Sequence, residues 1–273
     1  MAEKLERPLL LVGCGKMGGA MLEGWLASRI AAAGVFVVEP FGAGAFANRP
    51  GVTVVSSADE LPGDLSPQVV VLAVKPQAMS AVVGAYRKYA GPGCLFVSIA
   101  AGTTIGFFEA ELGADAAIVR AMPNTPAAVG QGITVICPNA KATAQQVAEA
   151  DALLKAVGET ASIADESLMD AVTGVSGSGP AYVFLMIECL AKAGVDAGLP
   201  EDLAGRLALQ TVAGAGHLAR RSDEPPDQLR RNVTSPNGTT QAALDVLMAE
   251  DGLQPLMTRA VAAAANRGRE LAG

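Results

Sequence analysis

Short apolar runs alternate with helical stretches along the first half of the chain. Residues 9–12 (LLLV), 34–39, 52–55, 69–74, 94–98, 117–120 and 133–137 read as strands. The run 69–74 (VVVLAV) is apolar on both faces, as strands are inside a parallel sheet covered on both sides. Residues 17–28 have helical spacing between the first two strands. Strands alternating with helices predict βαβ units and a doubly wound sheet. From Thr143 the period becomes helical nearly to the end. Helices are predicted at 144–157, 167–173, 181–197, 203–220, 242–249 and 253–271, with the strand-to-helix change near 160–165. The expected organisation is an α/β domain over 1–162 and an all-α domain over 163–273. The fold class is therefore α/β, a doubly wound sheet followed by helices.

The later helices are apolar over wide arcs, as in YVFLMIECLAKAGV. A helix that is apolar nearly all round must be covered nearly all round. About 110 residues make a thin bundle, so a second copy of the chain is expected to cover it.

Composition narrows the function. The 273 residues carry 20 Lys+Arg against 27 Asp+Glu, a net charge of −7. A general nucleic-acid binder needs a basic surface to displace counterions, so no nucleic-acid partner is expected. No stretch approaches some 20 uninterrupted apolar residues, so no membrane partner is expected either. Cys14, Cys94, Cys137 and Cys189 share no short spacing. They suit reduced thiols in a cytoplasm and leave no metal site. His217 is the only histidine, which removes His-based triads and multi-His metal centres from consideration.

The first chemical signal is Gly13-Cys14-Gly15-Lys16-Met17-Gly18, between the first strand and the first helix. The first glycine allows the tight turn, the second admits a pyrophosphate, and the third lets the helix pack on the strand. The helix N-terminus offers free N–H groups to the phosphates. Glu39 ends the second strand, where a carboxylate accepts from ribose hydroxyls and repels a 2′-phosphate. That favours NADH over NADPH, with Arg49 near enough to offer a competing phosphate contact. Ala73, Val74 and Lys75 end the fourth strand, on the carboxyl side where open sheets bind ligands. Ala100 and Ala101, after the fifth strand, let a nicotinamide lie close to the backbone. Asn124, in MPNTP, brings a donor and an acceptor to the cleft.

Two segments mark the second half. Gly174 to Pro180 (GVSGSGP) breaks two helices and has more glycine than a helix end needs. The surplus suggests close approach to a ligand or another chain, with Ser178 available as a cap for the next helix. Asn232 to Thr240 (NVTSPNGTT) is a Pro-Asn-Gly turn leading into a helix. Its N–H groups and hydroxyls suit a small carboxylate.

The pieces VGCGKMGGAM, LAVKPQ, SIAAGTT, VRAMPNTPA, GVSGSGPAYVF and NVTSPNGTT together resemble pyrroline-5-carboxylate reductase over residues 8–270. The resemblance implies reduction of 1-pyrroline-5-carboxylate to L-proline with NAD(P)H. It also implies that 1–162 is an NAD(P)-binding Rossmann domain and 163–273 a dimerisation and substrate-binding domain, giving a homodimer, often assembled further into rings, with the active site between chains. It places the substrate carboxylate at Ser235, Gly238, Thr239 and Thr240, and the ring nitrogen near the Thr240 hydroxyl and the Val233 carbonyl. Thr240 is then the candidate catalytic residue. It places the cofactor on Gly13, Gly15, Lys16, Met17, Gly18, Glu39, Val74, Lys75 and Ala101. Asn237 stands where a glycine is more usual, and Glu39 where many relatives have a small hydroxyl. Competing readings are a β-hydroxyacid-type dehydrogenase, an imine reductase for other substrates, and a nucleotide sensor without turnover. The first would need a catalytic lysine early in the helix after Gly179, and none comes before Lys192.

Overall fold

The computed structural model describes residues 4–272. Eight strands form one sheet: β1 Leu9–Val12, β2 Val35–Val38, β3 Val52–Val55, β4 Val69–Leu72, β5 Leu95–Ser98, β6 Ala117–Met122, β7 Gly132–Pro138 and β8 Gly158–Ser162. Ten helices accompany them: α1 Lys16–Ser28, α2 Pro76–Val82, α3 Ile105–Leu112, α4 Ala144–Lys155, α5 Met169–Val172, α6 Gly179–Asp196, α7 Glu201–Arg221, α8 Pro226–Asn232, α9 Thr239–Leu247 and α10 Leu253–Ala272.

The sheet order is β3-β2-β1-β4-β5-β6-β7-β8. The first six strands are parallel and follow the doubly wound dinucleotide-binding order. Beyond β6 the sheet is mixed. β7 pairs antiparallel to β6, and β8 pairs parallel to β7. Reversal is possible because only residues 123–131 join β6 to β7, fewer than the dozen or so that a parallel crossover needs. β8 lies inside the stretch expected to be helical. Its sequence, GETAS, carries one apolar residue, and a half-exposed edge strand of this kind leaves little hydrophobic signature.

Strand alternation sorts the core into two layers. Leu9, Leu11, Val35, Val37, Val69, Val71, Leu95 and Val97 pack under Met21, Leu22 and Trp25 of α1 and Leu153 and Leu154 of α4. Leu10, Val12, Val70, Leu72 and Phe96 pack under Met79 of α2, Tyr86, and Phe108 and Leu112 of α3. Trp25 donates its indole N–H to the Leu153 carbonyl at 2.9 Å, so this large ring is buried with its polar atom satisfied. Arg120 of β6 is nearly buried and pairs with Glu166 at 2.7 Å, and Glu166 also accepts the Ile105 N–H of α3 at 2.8 Å.

The chain forms two compact units. One runs to Gly177 and takes in the chain again from Ala264; the other is Ser178–Ala263. The last strand, β8, ends at Ser162, whereas packing divides the chain later. Residues 163–177 stay with the sheet because Met169 is buried in the second core layer and Gly177 lies against Met122.

The glycine-rich segment does not break the helix, as the sequence suggested it would. Residues Thr173–Gly177 form a π-helical turn that passes through Ser178 into α6. Thr173 and Ser176 hydroxyls donate to the carbonyls of Met169 and Val172, at 2.9 and 3.0 Å, which satisfies part of the widened turn. A Cβ on Gly177 would meet the flexible end of the Met122 side chain, so this glycine lies close against β6. Ser178 makes no side-chain cap, so the capping role expected of it is not taken up. The helical run over 166–196 is long and apolar enough by length and composition to cross a membrane, which the reading of uninterrupted runs had passed over. In Ser178–Ala263, α6 and α7 pack closely. A Cβ on Gly194 would come within 3.2 Å of the Ala204 side chain.

Candidate functional site

Gly13, Gly18, Ala73 and Val74 come together where β1 meets β4, the point at which strand order reverses. Gly13 has φ +89°, and a Cβ on it would lie 2.8 Å from the Ala73 carbonyl oxygen. Gly18 faces the Gly13 carbonyl and the Ala73 side chain. Both glycines are thus demanded by the fold itself. Gly15 is different. Its backbone is extended, with φ −69°, and a Cβ there would meet nothing within 4 Å. Neither strain nor packing within the chain explains this glycine. An open approach to the N-terminus of α1 does, and that is the space a pyrophosphate requires. No side chain caps this helix end, so its N–H groups face outward unpaired by a cap. The residues present therefore fit a dinucleotide.

Glu39 turns toward the loop. Its carboxylate accepts the Cys14 N–H at 2.7 Å and the Phe41 N–H at 3.3 Å. Burial and the neighbouring Glu39 carboxylate push the Cys14 thiol pKa up, which keeps it protonated and unreactive. Arg49 pairs with Glu23 of α1 at 2.6 Å across an exposed surface. Lys16 and Lys75 are exposed, Met17, Val74 and Ala101 half-buried, and Ala100 buried. Lys75 sits at the N-terminal boundary of α2, with Pro76 fixing the first turn.

A cleft of about 340 Å³ opens beyond the carboxyl ends of β4 and β5. Ala101 lines it, as do Gln77, Ser80, Thr103, Thr104 and Phe107, which the sequence reading did not single out. Their signal was positional only: they follow the LAVKP and SIAAG turns directly. Asn124 accepts the Ile133 N–H at 2.9 Å, so its side-chain oxygen holds the start of β7 in place. That is a scaffolding contact where the sequence suggested a cleft contact for this atom.

The substrate candidates all lie in the helical unit. Val233 ends α8, and the chain turns through Ser235 to Gly238, whose N–H donates to the Ser235 carbonyl at 3.0 Å. Asn237 has φ +58°, a left-handed conformation that asparagine tolerates. Gly238 is extended, and a Cβ on it would press on the Ser235 hydroxyl. Thr239 and Thr240 open α9, and no side chain caps its N–H groups. The turn thus keeps Ser235, Gly238, Thr239 and Thr240 together at one helix N-terminus. His217 is exposed on α7.

Comparison with known proteins follows the same division. Residues 166–271 match the family model described as pyrroline-5-carboxylate reductase dimerisation, and residues 9–102 match NADP oxidoreductase coenzyme F420-dependent. A pyrroline-5-carboxylate reductase of Pseudomonas aeruginosa is 43% identical, over 97% of this chain and 96% of its own. A solved structure of a pyrroline-5-carboxylate reductase from Coxiella burnetii is 34% identical, with a TM-score of 0.89 over 97% of this chain and 98% of the other. A Plasmodium falciparum pyrroline carboxylate reductase solved with NADP bound is 31% identical, with a TM-score of 0.83 over 99% of this chain and 100% of the other. A relative this similar over almost the full length of both chains settles the family: this chain belongs to the pyrroline-5-carboxylate reductases.

Proposed function

We propose that this chain reduces 1-pyrroline-5-carboxylate to L-proline, taking the hydride from NAD(P)H. The observation that carries the reading is Gly15: a glycine with open space around it, at an uncapped helix N-terminus, in a chain 43% identical to a named reductase. The reduced nicotinamide, when bound, supplies the hydride to the imine carbon.

The chain's own residues do the rest. Gly13, Gly15, Lys16, Met17 and Gly18 receive the pyrophosphate, and Ala73, Val74, Lys75, Ala100 and Ala101 line the path along the sheet edge. Asn124 acts through the β7 start that it holds. The uncapped N–H groups of Thr239 and Thr240, with the Ser235 hydroxyl and Gly238, hold the substrate carboxylate. Thr240 presents its hydroxyl to the ring nitrogen, with the Val233 carbonyl as second partner. A cyclic iminium is already electrophilic, so orientation does most of the work. A chain with one histidine suits such a reaction.

Glu39 supports a preference for NADH. Anchored on the Cys14 N–H at 2.7 Å, its carboxylate would lie against a 2′-phosphate. The exposed apolar side chains of α6 and α7, Phe184, Leu185 and Leu209 among them, support a homodimer through 163–273, built further into a ring. A second copy explains these side chains better than a membrane, because the family model matching 166–271 is one for dimerisation. Four free thiols suit a reducing cytoplasm.

Initial rates with the imine and NADH, then NADPH, test the reading. Turnover that is faster with NADH, and a Glu39→Ser variant that moves the ratio toward NADPH by about tenfold or more, are expected. No turnover from folded, cofactor-binding protein would overturn the reductase assignment. Thr240→Ala should lower kcat with little change in the KM for NADH.

A further inference from the structure

We propose that Asn237 is a self-modification site that slowly converts the substrate turn from an anion acceptor into an anion repeller. The chemical part rests on the structure, and the functional part rests on the proposed role of Ser235 to Thr240 in holding a carboxylate.

Six asparagines occur in the chain, and Asn237 alone is followed by glycine. Glycine is what makes an asparagine vulnerable. With no Cβ on the next residue, its backbone nitrogen reaches the side-chain carbonyl without steric opposition. Asn237 is exposed, and its φ of +58° is a conformation that costs a residue with a Cβ some strain. Among the described residues no hydrogen bond ties its side-chain amide, whereas Asn124 and Asn139 each have their side-chain oxygen engaged by backbone N–H groups at 2.9 and 3.0 Å. One restraint opposes the reaction. The Gly238 N–H donates to the Ser235 carbonyl at 3.0 Å, so the turn must open before the nitrogen can attack. The turn is short and lies at the surface, so this opening is local and does not require unfolding.

The step balances without oxidant or reductant. The Gly238 nitrogen, having lost its proton, forms a bond to the Asn237 Cγ. The bond from Cγ to Nδ2 breaks, and ammonia leaves with that proton. Water then opens the five-membered imide at either carbonyl. One opening gives aspartate; the other gives isoaspartate, with the chain running through the former side chain. Both place a new carboxylate one residue before Gly238 and two before the free N–H groups of α9. The helix end that favoured a bound carboxylate then carries a negative charge of its own. Isoaspartate also lengthens the backbone at the turn that Ser235 and Gly238 share.

The test ages the full-length protein in mildly alkaline buffer, beside an Asn237→Gly variant that keeps the left-handed backbone. Peptide mapping by mass spectrometry follows the exchange of amide for carboxylate at each asparagine. The expected result is conversion at 237 well ahead of Asn48, Asn124, Asn139, Asn232 and Asn266, faster at higher pH, with one ammonia released per site. The KM for the imine should rise in step by about tenfold or more, and the KM for NADH should stay constant. Asn237→Asp should show the raised imine KM from the start, and Asn237→Gly should age without change. An unmodified Asn237 would overturn the site and leave the reductase reading untouched. Full conversion with an unchanged imine KM, in both the aged protein and Asn237→Asp, would overturn the functional part and, with it, the carboxylate role of the turn.

Discussion

The sheet unit completes its own core, and the helical unit does not. Trp25, Tyr86, Phe96 and Phe108 are each 1% exposed or less, enclosed between strands and helices of one chain. In Ser178–Ala263, Ala204 and Ala208 are the buried residues among those described, while Phe184 is 58% and Val246 72% exposed. Burying a large apolar side chain contributes about 1.5–3 kcal/mol. The first unit collects that stabilisation within one chain. The second leaves most of it for a contact with another surface. The same apolar composition therefore does two jobs, and the difference lies in whether neighbouring elements of one chain can cover both faces.

The sharpest way to break this comparison is to truncate one phenylalanine in each unit. Phe108→Ala should destabilise the sheet unit by about 3–5 kcal/mol, read by denaturant unfolding. Phe184→Ala should leave the fold of the isolated chain nearly unchanged and weaken self-association, read by sedimentation at falling concentration. Equal stability losses, with association intact, would mean that α6 is covered within its own chain.

Arg120→Met should come next in size. It leaves the Glu166 carboxylate without its cation at a site where the pair is 2.7 Å apart and Arg120 is nearly buried. A loss of about 3 kcal/mol is expected, again by denaturant unfolding, and Arg120→Met with Glu166→Gln should recover part of it. The effect should stay in the sheet unit and spare association.

Gly15→Ala separates ligand space from packing space. A Cβ there meets nothing, so the melting temperature of the free protein should hold. The Kd for NADH should rise by about tenfold or more, measured by fluorescence titration. Gly13→Ala, by contrast, should lower the melting temperature, because the added atom lies 2.8 Å from the Ala73 carbonyl oxygen on a φ of +89°.

The smallest effect concerns pH. Burial pushes the Asp151 carboxyl pKa up, but hydrogen bonds from Lys155 and Thr160 outweigh it and hold the group below its ordinary value. A folded pKa below the unfolded one means stability that is present at neutral pH and lost as pH falls through the folded value. Asp151→Asn should flatten that acid slope slightly, seen in thermal unfolding against pH. An unchanged slope would remove Asp151 from the α4–β8 contact as an electrostatic contributor.

How much was legible depended on whether the signal was local. The Gly13–Gly18 loop and the strands β1 to β6 could be read directly. A turn, a strand period and a helix start are properties of a few consecutive residues. Asn237 likewise kept its turn, because left-handed tolerance belongs to the residue itself. The Gly174–Pro180 segment was misread for the same reason in reverse. Its glycines look like a helix break in isolation, but Thr173–Gly177 carry the helix on as a π-helical turn, with Gly177 against Met122, which is far away in sequence. Asn124 has the side chain of a ligand contact, and tertiary structure gives its oxygen to Ile133.

The sequence by itself determined the doubly wound core, the nucleotide loop and the family, because these follow from short-range pattern and motif. Only the tertiary structure decided that β7 runs backwards, that GETAS joins the sheet as β8, and that packing divides the chain at Gly177. It alone showed that Gly13 and Gly18 are held close by neighbouring backbone while Gly15 has open space around it. Each of those outcomes depends on which distant atoms arrive beside a residue, and a residue's own chemistry does not carry that information.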